Sequence, residues 1–145
     1  MSVVVEAVDV ATPELVTSLN VLLPQLSSNA QPLSLADLET LVHSPSTTLF
    51  VARNEDDVVG TLTLVVFPIP SGERAWIEDV VVDEGARGLG VGEALTRAAL
   101  DVARSNGVRT VDLTSRPSRE AANALYLKLG FERRETNVYR FLAGD

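Results

Sequence analysis

The first third of the chain combines one β-like stretch with two segments in which leucines recur at helical spacing. Residues 3–10 are rich in valine and alternate loosely with polar positions, a pattern that predicts a strand. Residues 12–14, Thr-Pro-Glu, supply a capping hydroxyl, a proline at the first helical position and an acid at the positive end of the helix dipole. Residues 34–37 resemble a capping box and open a second, short helix. Leucines recur at helical spacing in both helices, and Pro24 limits the first.

The middle of the chain predicts three consecutive strands. Apolar, β-branched runs at residues 48–53, 58–67 and 74–82 are separated by a polar turn at 54–57 and a Pro- and Gly-containing break at 68–72. Connections this short join antiparallel neighbours. We therefore expect an antiparallel meander.

The pattern changes after the third of these strands. A glycine-rich turn, defined here as residues 87–92, leads into a helix over 91–105 with apolar residues on one stripe. The remaining predicted elements are a strand at 109–114, a helix at 119–129 and two strands within 131–142. The strand before the turn and the strand after the helix must be parallel, because a helical crossover joins them. The fold class is therefore α+β (α/β in looser usage): a mixed, mostly antiparallel central sheet with helices on both faces.

The composition is that of one ordinary globular domain, which we assign to residues 1–145. The 145 residues are 46% hydrophobic and 22% charged. Lys and Arg number 12 against 20 Asp and Glu, a net charge of −8 that argues against nucleic-acid or anionic-membrane binding. No apolar run approaches the roughly 18 residues of a membrane span, and the N-terminus lacks the cationic segment of a signal peptide. We expect a cytoplasmic protein.

The residue inventory removes several kinds of chemistry. Without cysteine, the chain has no disulfide, thiolate metal ligand or cysteine nucleophile. His43 is the single histidine, which excludes multi-histidine metal sites, and we expect no metal. A hydrolase would have to use His43 with a serine such as Ser115, yet no serine lies in a G-x-S-x-G sequence.

The glycine-rich turn has the features of an anion-binding site. It follows an apolar strand and runs into a helix, whose first N–H groups lack partners and lie at the positive end of the dipole. Gly88, Gly90 and Gly92 allow a phosphate to approach the backbone, and Arg87 adds a fixed cation. Together these features best suit a pyrophosphate.

Other interpretations of the same turn must be weighed. The ATP-binding P-loop is excluded because no lysine lies near the turn. A dinucleotide site would use Asp112 for the ribose, but it needs a third glycine where the chain has Glu93. A tight turn that binds no ligand is the third alternative.

Two motifs, in order, resemble those of the GCN5-related N-acetyltransferase (GNAT) family. Arg87-x-x-Gly90-x-Gly92 after an apolar strand resembles that family's R/Q-x-x-G-x-G/A motif. Residues 125–131, Leu-Tyr-Leu-Lys-Leu-Gly-Phe, resemble its L-Y-x-K-x-G-F segment. The predicted order of elements also matches, over nearly the whole chain. The resemblance implies an acyl-CoA N-acyltransferase-like fold and transfer of an acetyl group from acetyl-CoA to an amine.

The resemblance assigns the cofactor to two adjoining segments. The pyrophosphate would contact the whole glycine-rich turn: Arg87, Gly88, Leu89, Gly90, Val91 and Gly92. The pantetheine arm would lie along Val80, Val81 and Val82, with a backbone N–H of this stretch polarising the thioester carbonyl. Three valines are also what an ordinary buried strand contains.

The second motif supplies a candidate acid. By the resemblance, Tyr126 donates to the sulfur as the thiolate leaves. A phenol of pKa about 10 is a weak acid beside a thiol near 8.5, so we expect a hydrogen bond first and proton transfer after it. Asn123, one turn earlier, would contact the cofactor. The alternatives are a packed tyrosine whose hydroxyl is bound elsewhere and a solvent-facing asparagine.

The attacking amine must lose its proton, which costs about 4.6 kcal/mol at neutral pH for an alkylamine. Glu78 and Asp79 are the candidate bases. They point to opposite sides of a regular strand, so at most one faces the substrate. We favour Glu78, which is expected to share a face with Val80. An acid that binds a cationic acceptor, or pairs with an arginine, is the alternative.

Without a cysteine no acyl-cysteine intermediate forms, so acetyl-CoA and the amine are expected to react in a ternary complex. The acidic chain suits a cationic amine of a small molecule or peptide, and the triplet at 77–79, Ile-Glu-Asp, resembles aminosugar acetyltransferases. A non-catalytic CoA-binding sensor or interaction module is the alternative; the presence of Tyr126 favours the enzyme. The resemblance also allows a homodimer, for which the sequence specifies no interface.

Overall fold

A five-stranded sheet in the order β1-β2-β3-β4-β5 dominates the first of two units in the computed structural model, which describes residues 2–144. The units are Met1–Thr114 and Ser115–Asp145. The strands are β1 (Val3–Ala7), β2 (Thr47–Asn54), β3 (Asp57–Ile69), β4 (Gly72–Val82) and β5 (Val111–Asp112). Neighbours from β1 to β4 pair antiparallel, and β4 pairs with β5 in parallel. The predicted meander and parallel crossover are confirmed.

Local capping signals set the helix boundaries. The helices are α1 (Pro13–Leu26), α2 (Leu35–His43), α3 (Val91–Ser105) and α4 (Glu120–Lys128). The Thr12 hydroxyl accepts a hydrogen bond from an α1 amide at 3.2 Å. Ser34 and Asp37 form the predicted capping box, and the Ser34 N–H that donates to the Asp37 carboxylate holds the pKa of Asp37 below its usual range. Pro24 lies inside α1, in its last turn.

Helices cover both faces of the sheet. On one face, apolar side chains of α1 and α2 pack on β2: Leu15, Leu19 and Leu38 on Leu49 and Val51. On the other face, α3 approaches β3 so closely that a Cβ on Gly60 would lie 2.9 Å from Val91 Cγ1 and 3.1 Å from Leu95 Cδ1. We call these the α1/α2 face and the α3 face. The predicted fold class is confirmed.

Two predictions for the last part of the chain are wrong. β5 spans only Val111–Asp112 instead of 109–114. The two strands predicted within 131–142 are absent: the structure has no helix or strand between 131 and 144. Val138 and Phe141 in this segment are 73% and 89% exposed. A strand needs a hydrogen-bonded neighbour, and the described part of the second unit, in which α4 is the regular element, supplies none.

Candidate active site

β4 and β5 diverge soon after they meet. Their register joins two residue pairs, Ala75 with Val111 and Trp76 with Asp112. In the described part of the chain, residues 77–82 of β4 therefore have no strand partner on the β5 side, while β3 pairs with the other edge. N–H and C=O groups on an unpaired edge are available to a ligand that offers its own amides. Residues 80–82, the three valines assigned to the pantetheine arm, lie on this edge.

A bulge interrupts β4 within the same segment. Two residues, Asp79 and Val80, stand opposite the single residue Leu62 of β3. Asp79 has a φ of 49°, in the left-handed region that aspartate adopts more readily than most residues. A bulge bends a strand and leaves its extra residue outside the ladder. The bulge could not be predicted from the sequence, because an acidic pair before three valines also fits a regular strand.

The bulge corrects the expected placement of Glu78. Glu78 pairs with Thr63 and Val81 with Thr61, and these two threonines lie on one face of β3 because they are two residues apart. Thr61 and Thr63 pair in turn with the β2 residues of the α1/α2 face. Glu78 therefore shares a face with Val81, and the expectation that it shares one with Val80 is wrong. That expectation assumed an uninterrupted alternation of side chains.

Both candidate bases are accessible. Glu78 and Asp79 are exposed, on either side of the point where β4 departs from regular geometry. Across residues 2–144, neither carboxylate takes part in an ion pair. A carboxylate that is exposed and not ion-paired can accept a proton from a substrate amine, directly or through water.

The glycine-rich turn is open at its centre. Gly88 and Gly90 have φ values of 79° and 82°, and a Cβ at either position would meet nothing within 4 Å. Gly90 caps α3 without a side-chain hydrogen bond. The N–H of Ala94 donates to the Gly90 carbonyl at 3.0 Å, and the amides of Val91 and Gly92 precede that first helical bond. Glycine is required at Gly88 and Gly90 because other residues are strained at positive φ.

The charged side chains near the glycine-rich turn favour the binding of an anion, because its arginine is exposed and the nearby glutamate is ion-paired. Arg87 is exposed, and its Nε lies 3.4 Å from the Val82 carbonyl oxygen at the end of β4. Glu93, in the first turn of α3, is ion-paired with Arg97 at 3.1 Å. This pairing offsets the repulsion that the Glu93 carboxylate would exert on a phosphate.

α3 is anchored beneath the turn. Val91 is 1% and Leu95 0% exposed on the α3 face. Thr96 is fully buried and donates to the Gly92 carbonyl at 2.8 Å. A residue that the sequence analysis missed, Gln25 of α1, binds the segment just before the turn. No local signal could have found it, because its partner Asp83 lies 58 residues away in the chain.

Tyr126 lies on α4 in the second unit. It is 9% exposed, and its ring meets that of Phe131 edge to face at 5.6 Å between centroids. Burial raises the pKa of Tyr126, and the positive charge of Arg119 opposes that rise.

Asn123 has a structural task within the second unit. Its side-chain amide donates to the carbonyls of Arg116 and Arg119, both at 2.9 Å, at the start of α4. The amide oxygen is left as the atom through which Asn123 could contact a cofactor.

The residues of the competing interpretations have other partners. Asp112, the candidate ribose ligand, is ion-paired with Arg74 at 3.2 Å. Nδ1 of His43 lies 2.7 Å from the Glu39 carbonyl oxygen within α2. Residues 2–144 contain no cluster of three or more His, Cys, Asp or Glu side chains that could hold a metal ion. None of the helices described is long and apolar enough to cross a membrane.

Together, the mostly antiparallel sheet, its unpaired β4 edge and the glycine-rich opening of α3 define an acyl-CoA N-acyltransferase-like fold. A solved structure supports this class. The chain superposes on a putative acetyltransferase from Agrobacterium tumefaciens with a TM-score of 0.84 and 26% identity, covering 96% of this chain and 99% of that one.

The sequence matches the profile of the Acetyltransferase (GNAT) family over residues 16–131, and the chain belongs to that family. It is 43% identical over 94 residues to the mycothiol acetyltransferase of Amycolatopsis mediterranei, a match that covers 61% of this chain and 31% of the relative. It is 37% identical over 95 residues to the glucosamine 6-phosphate N-acetyltransferase of Trypanosoma brucei brucei, covering 63% of each. Less than two thirds of either relative is therefore matched.

Proposed function

We propose that this chain is an N-acetyltransferase that moves an acetyl group from acetyl-CoA directly to an amine in a ternary complex. The observation that carries the proposal is the unpaired edge of β4 at residues 77–82, which leads through one short turn into the glycine-rich opening of α3. In this proposal residues 1–145 act as one GNAT domain. A cytoplasmic location is part of the proposal and rests on the acidic, cysteine-free composition.

The residues present fit this cosubstrate. The glycine-rich turn, with Arg87, Leu89 and the amides of Val91 and Gly92, would hold the pyrophosphate. The backbone of residues 80–82 would pair with the pantetheine amides. When bound, acetyl-CoA supplies an acyl group already activated as a thioester. A β4 amide beside the bulge would donate to the carbonyl oxygen as negative charge develops there, an effect worth about 100-fold in rate.

Tyr126 is proposed to donate a hydrogen bond to the departing sulfur. Because burial raises its pKa, the phenol stays protonated at neutral pH and is available as a donor. Its position in the second sequence motif supports this role. Asn123 is proposed to contact the cofactor through its amide oxygen.

Glu78 is proposed to take the proton of the attacking amine. It is exposed on the α1/α2 face at the bulge, and no ion pair of the described residues neutralises it. A carboxylate there also suits a cationic acceptor. We propose an amine of a small molecule or peptide; the names of the mycothiol and glucosamine 6-phosphate relatives favour a small molecule.

The test separates an enzyme from a CoA-binding sensor. Calorimetry with CoA measures binding, and thiol release from acetyl-CoA over a panel of amines measures turnover. The enzyme should bind CoA and turn over at least one amine; binding without turnover across the panel would favour the sensor. No binding at millimolar CoA would contradict both.

Replacing Tyr126 with Phe should lower kcat about 10- to 100-fold, because the leaving thiolate loses its donor. The Tyr139→Phe variant is the matched control, since Tyr139 is the other tyrosine and is 87% exposed. It should keep the wild-type kcat. Equal rates for Tyr126→Phe and wild type would remove Tyr126 from the mechanism.

The raised pKa of Tyr126 also predicts a pH dependence of stability. The folded state holds this proton more tightly than the unfolded chain, so the contribution is fully present below the unfolded pKa of about 10 and is lost as pH rises through the folded value. Urea unfolding should therefore show a steeper loss of stability above pH about 10 in wild type than in Tyr126→Phe. Parallel pH profiles would contradict the shift.

A further inference from the structure

The side-chain amide of Gln25, near the end of α1, is bound on both of its sides by one short segment. Its Nε2 donates to Asp83 Oδ1 at 2.9 Å, and its Oε1 accepts from the Glu84 N–H at 3.0 Å. We call residues 83–86 the Asp83 turn; it joins the end of β4 to the glycine-rich turn.

The Asp83 turn has few conformations open to it once Gln25 is bound. The second carboxylate oxygen of Asp83 accepts from the Gly85 N–H at 3.1 Å, and its carbonyl accepts from the Ala86 N–H at 2.8 Å. The Asp83 N–H donates to the Val59 carbonyl of β3 at 2.8 Å. Gln25 therefore completes a hydrogen-bond network that connects α1, the sheet and the Asp83 turn.

The placement of Gln25 links two parts of the proposed site. α1 packs on the α1/α2 face, the face that carries Glu78. The Asp83 turn leads directly into Arg87 and the glycine-rich turn. A small shift of a binding group lowers affinity steeply, so a residue that holds this turn controls how well its amides meet a pyrophosphate.

We propose that Gln25 is a positioning residue: by holding the Asp83 turn, it orients the glycine-rich turn for the pyrophosphate of the cosubstrate. This inference rests on the proposed function. Gln25 touches no reacting atom, and its contribution is to cofactor affinity rather than to the chemical step.

A second amide on the same helix provides the matched control. Asn20 of α1 also binds a backbone on both sides, through Nδ2 to the Leu33 carbonyl at 2.9 Å and Oδ1 to the Leu33 N–H at 2.8 Å. Its partner lies in the connection between α1 and α2, not beside the glycine-rich turn. Replacing Asn20 with Ala removes the same kind of contact from the same helix.

The first experiment compares two acetyl donors. Gln25→Ala should weaken CoA binding about tenfold in calorimetry and lower kcat/KM for acetyl-CoA to the same extent. For S-acetylpantetheine, which lacks the pyrophosphate, kcat/KM should equal that of wild type. Asn20→Ala should leave both the CoA affinity and the ratio between the two donors unchanged. Equal losses for both donors, or an unchanged CoA affinity in Gln25→Ala, would overturn the proposal.

The second experiment inverts the hydrogen bond. Gln25→Glu places two carboxylates together and should weaken CoA binding at least as much as Gln25→Ala. Combining Gln25→Glu with Asp83→Asn restores a donor opposite an acceptor and leaves the net charge unchanged, so CoA affinity should recover. A double variant that binds CoA no more tightly than Gln25→Glu alone and Asp83→Asn alone would also overturn the proposal. If wild type itself binds no CoA, the proposed function fails as well, and that result is distinct from a failure confined to the variants.

Discussion

The two faces of the sheet are built from the same strands but present different kinds of side chain. On the α3 face, the register aligns mostly apolar positions of the central strands, with Thr48 of β2 as a polar member: Phe50, Ala52, Gly60, Leu62, Leu64 and Ile77. On the α1/α2 face, β3 and β4 present Thr61, Thr63 and Glu78. The β2 residues of that face, Leu49 and Val51, pack beneath α1 and α2.

This difference separates the support of the site from its chemistry. The α3 face sets the position of α3 by close packing, and α3 in turn carries the backbone amides proposed to bind phosphate. The α1/α2 face keeps a carboxylate exposed where a substrate can reach it. Changes in the packing of the α3 face should therefore affect stability and CoA binding, whereas a change of the exposed Glu78 carboxylate on the α1/α2 face should affect turnover.

The largest effect on the α3 face is expected from Leu95→Ala. Leu95 is 0% exposed, and its removal leaves a cavity between α3 and β3. We expect a loss of about 3 kcal/mol in the free energy of unfolding, measured in urea. The control Leu127→Ala, at a position 61% exposed, should change stability little. If both variants lost the same free energy of unfolding, burial at these two positions would not determine their contribution to stability.

On the α1/α2 face, Glu78→Gln should lower kcat about 100-fold and leave the unfolding transition in place. Glu73→Gln, at an exposed position near the other end of β4, is the control and should retain wild-type kcat. An increase in acceptor KM with kcat unchanged would instead make Glu78 a binding group for the cationic amine.

A smaller effect is expected from Gly60→Ala. The new Cβ would meet Val91 Cγ1 at 2.9 Å and the Val81 carbonyl oxygen at 3.2 Å, so the Val91 side chain or the start of α3 that carries it must move. We expect a loss of about 1 kcal/mol in stability and a weaker affinity for CoA.

The neighbouring position on the opposite face gives the control for Gly60. Thr61→Val removes the buried hydrogen bond from Thr61 to the Phe50 carbonyl, 2.9 Å long, and should also lower stability by about 1 kcal/mol. CoA affinity should stay unchanged, because Thr61 faces away from α3. A Thr61→Val variant that binds CoA as weakly as Gly60→Ala would show that the faces are not independent.

Much of the fold follows from local sequence signals. The capping residues of α1 and α2, the glycine at the start of α3 and the breaks between β2, β3 and β4 all act over a few residues. The order of the elements up to α4 and the parallel crossover were predicted from these signals, and the family from the resemblance of the motifs at residues 87–92 and 125–131. The assignments of Glu78, Tyr126 and the glycine-rich turn to catalysis and binding stay predictions.

By itself, the sequence determined where helices begin, where the glycine-rich turn lies and which residue types stand beside it, because those features depend on hydrogen bonds and steric limits within a few residues. Only the tertiary structure decided the bulge that places Glu78 beside Val81, the short β5 and the contact of Gln25 with the Asp83 turn. Register and side-chain contacts across the fold depend on which distant strands and helices pack together, and no local pattern records that choice.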